Sequence, residues 1–122
     1  MFETIIVDKF RASHFVKDYK GTDEPIHTHI WKVEFYFKAK KLDDSNISVD
    51  FCDLQRILRK ILTPLNNQLL NSLPIFEDES VSAEIVAYYI FSELKDRTKK
   101  LSGKLSKVTI WESETCGTSY SE

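Results

Sequence analysis

Glu24 to Phe35 reads EPIHTHIWKVEF. Apolar and aromatic residues alternate with polar ones from His27 onward, and the period of two predicts a strand over residues 26–39. Its inward face would carry His27, His29, Trp31, Val33, Phe35 and Phe37. The chain holds 3 histidines. Two stand one residue apart at the head of this strand, so their rings point to the same side, within a few ångströms of each other.

The third histidine lies in a similar setting, FRASHF, residues 10–15. Residues 3 to 15 are rich in Ile, Val and Phe, and alternation places Ile6, Phe10, Ala12 and His14 on one face of an earlier strand. If the two strands meet, every imidazole of the protein falls into one cluster. Three neutral imidazoles around one ion leave a fourth position open, the pattern of catalytic rather than structural zinc. The plainer reading is that each histidine is a hydrogen-bonded core or rim residue, and spacing alone does not decide between the two.

Around these strands the chain reads as one domain over residues 1–122, since 42% hydrophobic and 12% aromatic content support a core without staples. Charged residues make up 30%, with both signs interleaved and a formal net charge of −2, so neither nucleic acid nor a membrane surface is an expected partner. No signal-peptide pattern and no bilayer-length apolar run occurs, and a soluble, cytoplasmic protein is expected. Cys52 and Cys116 belong to no CxxC pair and are expected as reduced thiols.

After the turn-rich KAKKLDDSN, the segment ISVDF (residues 47–51) is expected as a short third strand, hairpin-paired with the second. The period then changes: Phe51, Leu54, Leu58, Ile61, Leu62 and Leu65 recur at helical spacing, with Asp50 as N-cap and Pro64 near the end, giving a helix of about four turns. A long connection, NNQLLNSLPIFEDES, leads to a second helix capped by Ser82, with Ile85, Val86, Tyr89, Ile90 and Leu94 inward. Lys95, Arg97, Lys99 and Lys100 complement its C-terminal dipole. LSKVTIWES is a strand with Val108, Ile110 and Glu112 on one face, and TCGTSYSE is expected as a tail. The order βββααβ predicts an α+β fold, an antiparallel sheet with both helices on one face.

FRASH, HTH, VDF before a helix, LNNQLLN, SAE and TIWE follow one another in an order that resembles the 6-pyruvoyl-tetrahydropterin and 6-carboxy-tetrahydropterin synthase family, whose signatures are FxAxH, HGH, DF, LDHxxLN, PTxE and a late strand ending in Glu. The resemblance spans residues 10 to 120. It implies a T-fold whose subunits close into an oligomeric barrel, with trimers stacked into a hexamer. It also implies Zn2+ held by His14, His27 and His29, a pterin anchored by Glu112 through a bidentate pair, and Ser82 touching the pterin while it caps the helix.

Two departures stand out. The family's cysteine, four residues before the first His of HGH, is Asp23 here, but a subgroup carries Glu three residues before that His, and Glu24 matches it. Such members resemble enzymes that make 6-hydroxymethyl-dihydropterin for folate synthesis from dihydroneopterin triphosphate, and the resemblance makes Glu24 the general base. The family's Asp-His pair reads Asn66-Asn67, and neither amide titrates. The implied activity is a zinc-dependent lyase acting on 7,8-dihydroneopterin triphosphate or a related pterin. Its product would be a 6-carboxy-tetrahydropterin, a precursor of queuosine-type deazapurines, or the pyruvoyl or hydroxymethyl pterin. The alternative is a relative that binds zinc and pterin without turnover.

Overall fold

A computed structural model describes residues 1–77 and 79–122. Its frame is a pair of 13-residue strands, β1 (Phe2–His14) and β2 (His27–Ala39), antiparallel along their whole length. Both stay regular because β-branched and aromatic residues fill alternate positions and pack against each other across the pleat. The helix α1 (Phe51–Leu62) follows, then a two-residue strand β3 (Gln68–Leu69), the helix α2 (Ala83–Thr98), and the strands β4 (Lys104–Trp111) and β5 (Gly117–Ser121). The sheet order is β3-β1-β2-β4-β5; all pairings are antiparallel except β1 with β3. The architecture is α+β, as the patterning predicts.

Both helices cover one face of the sheet, α1 over β1 and α2 over β4 and β5. The core between the layers takes Ile6, Phe10 and Ala12 from β1, Trp31, Val33, Phe35 and Phe37 from β2, and Val108 and Ile110 from β4. Leu54, Leu58, Ile61 and Leu62 face it from α1, with Val86, Ala87, Ile90, Phe91 and Leu94 from α2. A fully enclosed Phe35 or Phe37 contributes about 2–3 kcal/mol of transfer free energy. Asp50 caps α1 by accepting from the Cys52 amide, and Ser82 caps α2 by accepting from Ile85.

Two expected elements differ. ISVDF is not a strand: Asp43 accepts from the amides of Ser45 and Ile47, and the main chain of Asp43 and Ile47 is also bonded, so the segment closes on itself before it can pair with β2. Asn46, at φ 62°, turns the corner. Ile47 is left exposed, Val49 packs on the core edge, and Phe51, read as inward, is 62% exposed at the first turn of α1. The expected tail is β5, paired with β4 from Gly117 opposite Trp111 to Ser121 opposite Lys107. Tyr120 packs on Phe91 at 4.9 Å and Tyr88 at 5.1 Å between ring centroids. A Cβ on Gly117 would lie 2.6 Å from the Trp111 ring, so only glycine lets β5 start there.

The face away from the helices carries a polar network on Glu34. It accepts from the Tyr36 hydroxyl (2.8 Å) and the Trp111 indole N–H (3.1 Å), and Lys32 stands 3.4 Å away. Burial alone would raise the Glu34 carboxyl pKa; hydrogen bonds from Tyr36, Lys32 and Trp111 outweigh it and hold the group below the usual carboxylate range. A depressed native pKa adds stability that is present at neutral pH and lost as pH falls through that pKa. Glu34→Gln is therefore expected to cost about 1–2 kcal/mol at neutral pH. The difference from wild type should shrink as pH falls below the carboxylate range; denaturant midpoints at two pH values check this, and a pH-independent difference would contradict it.

Candidate functional site

The β1–β2 register sets His14 opposite His27 and Ala12 opposite His29. All three imidazoles lie on the helix-covered face, and the small Ala12 side chain leaves room for the His29 ring. Ring centroids are 4.4 Å (His14 and His27), 4.7 Å (His27 and His29) and 5.2 Å (His14 and His29) apart, and one ring nitrogen from each lies within 4.8 Å of the others. Trp31 forms the floor, its ring 4.7 Å from His14 and 5.6 Å from His29, with its N–H donated to the Ala12 carbonyl.

Two rings are held by main-chain carbonyls. His14 Nδ1 is 2.7 Å from the Val81 oxygen and His27 Nδ1 is 2.9 Å from the Pro25 oxygen. A carbonyl only accepts, so each Nδ1 carries the proton and each Nε2 presents a lone pair, the tautomer a metal requires. Nε2 of His14 and Nε2 of His29 are buried without a hydrogen-bond partner among the described residues. Burial pushes the His29 pKa down; Glu112 opposes that shift, and His14 and His27 add to it. Buried polar atoms left unmatched are costly, and three clustered imidazoles, two of them of fixed tautomer, suit a borderline ion such as zinc. The residues fit a metal on their own geometry.

Two carboxylates flank the cluster. Glu24 Oε1 is 3.6 Å from His27 Nε2 and accepts from the Val16 amide at 3.1 Å, while the Glu24 amide donates to the Val16 carbonyl. That exchange fixes the carboxylate beside the imidazoles. Glu112 Oε1, just past the end of β4, stands 3.3 Å from His14 Nε2 without hydrogen-bond alignment. Ser82 is not in this group: its hydroxyl oxygen is engaged in capping α2, next to the Val81 carbonyl that holds His14.

The departures are placed as follows. The Asp23 carboxylate accepts from the Asp18 amide inside the 18–23 turn, and Cys52 and Cys116 are exposed and free. Asn66 Oδ1 accepts from the Arg11 main-chain amide and the Asn67 main-chain amide donates to the Arg11 carbonyl, so this pair docks β3 on β1. Thr28, which stands where HGH has glycine, points to the opposite face, where its hydroxyl meets that of Ser13 at 2.7 Å.

Sequence reasoning passed over the residues that support His14. Asn71 accepts from the Phe15 amide and donates to the Phe15 carbonyl, both at 3.0 Å, and Ser80 accepts from the Lys17 amide. Together with Val81 they lash the connection between the helices to the end of β1. Asn71 closes the LNNQLLN motif, but neither the motif nor composition, which reads the stretch as loop, assigns Asn71 or Ser80 a partner.

Comparison with known proteins bears on the same arrangement. The family model described as 6-pyruvoyl tetrahydropterin synthase matches residues 4–122. The chain belongs to that family. A protein of Archaeoglobus fulgidus provisionally named 6-carboxy-5,6,7,8-tetrahydropterin synthase is 29% identical over 92 residues, 75% of each chain. The 6-pyruvoyl tetrahydropterin synthase of Caenorhabditis elegans superposes with a TM-score of 0.86 at 22% identity, covering 99% of this chain and 95% of its own. A Plasmodium vivax 6-pyruvoyltetrahydropterin synthase in which a catalytic glutamate is replaced by alanine superposes with a TM-score of 0.79 at 18% identity, covering 98% and 96%. The fold is the T-fold of these structures. No helix among the described residues is long and apolar enough to cross a membrane.

The fit of the histidines to a metal has a direct test. One zinc ion per chain is expected to bind and raise the melting temperature, reversed by chelator, with about 2.7 kcal/mol of stabilisation at free zinc a hundredfold above its Kd. His29→Ala should abolish the shift. Metal content and calorimetry measure both, and an unchanged melting temperature with zinc would count against the site.

Proposed function

We propose that residues 1–122 form one T-fold domain that is a zinc-dependent lyase acting on 7,8-dihydroneopterin triphosphate or a closely related pterin. The observation that carries the reading is the bracketing of three clustered imidazoles, two of them of fixed tautomer, by two carboxylates. His14, His27 and His29 would hold the ion. When bound, zinc would supply Lewis acidity toward oxygens of the substrate side chain.

The remaining work falls to the chain's own groups. Glu24, tied to Val16 and facing the imidazoles, is the general base that takes and returns a proton on the substrate side chain. The Plasmodium vivax relative, whose named catalytic residue is a glutamate, supports a carboxylate in that role. Glu112 receives the pterin's ring N–H and amino group through its two oxygens. Ser82 is assigned to the edge of the pterin site through its place beside Val81. Trp31, fully buried beneath the rings, shields the inner side of the site from water. A closed homo-oligomer, a hexamer by kinship, is part of the reading; the edge of β1 before Ala12 has no partner strand among the described residues.

A second reading keeps binding and drops turnover. Asn66 and Asn67 occupy the family's proton-moving positions, neither side chain titrates, and the Asn66 side-chain oxygen is held by the Arg11 amide. Incubation of the zinc-loaded chain with 7,8-dihydroneopterin triphosphate separates the two. Under the lyase reading a new pterin forms, its mass names the 6-carboxy, 6-pyruvoyl or 6-hydroxymethyl branch, and Glu24→Gln slows its formation by about 10²–10⁴-fold. Glu112→Ala should weaken pterin binding by about 1.5–3 kcal/mol. Unaltered substrate that still binds would favour the non-catalytic relative.

A further inference from the structure

Two lysine-bearing segments that are far apart in sequence meet at the end of the molecule opposite the histidines. Lys38, Lys40 and Lys41 close β2 and follow it; Lys104 opens β4, and Lys95 and Lys99 end α2. The first three and Lys104 border a cavity of about 630 Å³. A second of about 250 Å³, bordered by Lys95, Lys99 and Lys104, adjoins it, sharing Gly103, Leu105 and Glu122.

The concavity is built by the backbone. Gly103 has φ 128°, and a Cβ there would lie 2.6 Å from both the Lys38 carbonyl and the Phe37 ring. Only glycine permits that approach. The β2–β4 ladder slips next to it: Tyr36 pairs with Lys107 and Phe37 with Leu105, which leaves Ser106 as a bulge on the cavity wall. Buried Ala39 and Leu105 give an apolar floor.

Charge is only partly neutralised. Glu122 is occupied by Lys95 at 2.6 Å, Asp96 by Lys99 at 3.1 Å, and Glu3 lies 3.9 Å from Lys38. Among the described residues, Lys40, Lys41 and Lys104 have no carboxylate within ion-pair distance. In a chain of net charge −2 this is a local excess of positive charge in a concave site of small-ligand size. Flexible ammonium groups suit phosphate oxygens as point charges.

We infer that this cleft binds a small polyphosphate anion, separately from the metal site. The 13 residues of β2 span about 40 Å, so one subunit cannot present the same triphosphate to both ends. The site is independent of the lyase reading and stands or falls without it. An extended nucleic acid is disfavoured because the charge lines a hollow rather than a stripe.

The test is calorimetric titration of inorganic tripolyphosphate into the full chain, with amide NMR mapping. Wild type should bind, more weakly as salt rises from about 50 to about 200 mM. Lys40→Gln/Lys41→Gln should lose roughly tenfold in affinity while melting as wild type does, and Lys17→Gln/Lys20→Gln, at the metal end, should lose nothing. Shifts should centre on Gly103 to Ser106 and residues 38–41. Absence of binding to wild type, equal loss in both double variants, or shifts centred on the histidines would overturn the inference. Tighter lysine-dependent binding of a short RNA than of tripolyphosphate would overturn it too.

Discussion

The β1–β2 ladder is the constraint on which the rest depends. Its thirteen-pair register sets His14 across from His27 and Ala12 across from His29. A slip of one residue would turn one strand's whole inward set to the other face. Phe10, Trp31, Val33, Phe35 and Phe37 hold the register because each must stay under the helices. Hydrophobic burial along the strands thus fixes the place of three polar rings at their end, and no separate scaffold is needed to gather them.

From that placement follows the chemistry of the rings. An imidazole can be a ligand or a donor through either nitrogen, and its partner decides which. The Val81 and Pro25 carbonyls make that choice for His14 and His27, and both come from segments outside the sheet. The connection between the helices is therefore part of the site through its main chain. Asn71 and Ser80 stitch that connection to Phe15 and Lys17, so the orientation of His14 rests on hydrogen bonds made by a stretch with little regular structure.

Legibility in the sequence divides along the same physical line. The period of two in β1 and β2 was readable because half-buried strands impose it, and so were the caps at Asp50 and Ser82, which follow from local donor counts. The three histidines and the two glutamates could be picked out by spacing and family likeness. The failed strand at residues 47–51 shows the limit: alternation over five residues was real, but one aspartate, Asp43, bonded the amides first. β5 was missed because its signal, a glycine opposite a tryptophan and one inward tyrosine, exists only once β4 is in place. The supports of His14 were hidden because they are long-range bonds to main chain, which leave no periodic trace. The lysine cleft was hidden likewise: residues 38–41 read as a strand end and turn, Lys95 to Lys100 as a helix end, and only the fold makes them neighbours.

The central claim is that main-chain carbonyls fix the His14 and His27 tautomers so that their Nε2 atoms, with Nε2 of His29, serve one metal. Nitrogen-15 spectra of the histidine rings, with and without zinc, test it most directly. The account predicts His14 and His27 protonated at Nδ1 in the metal-free protein near neutral pH, and zinc moving the Nε2 resonances of all three rings together at one equivalent. Protons on Nε2 of His14 or His27, or zinc leaving any of the three rings unmoved, would contradict it.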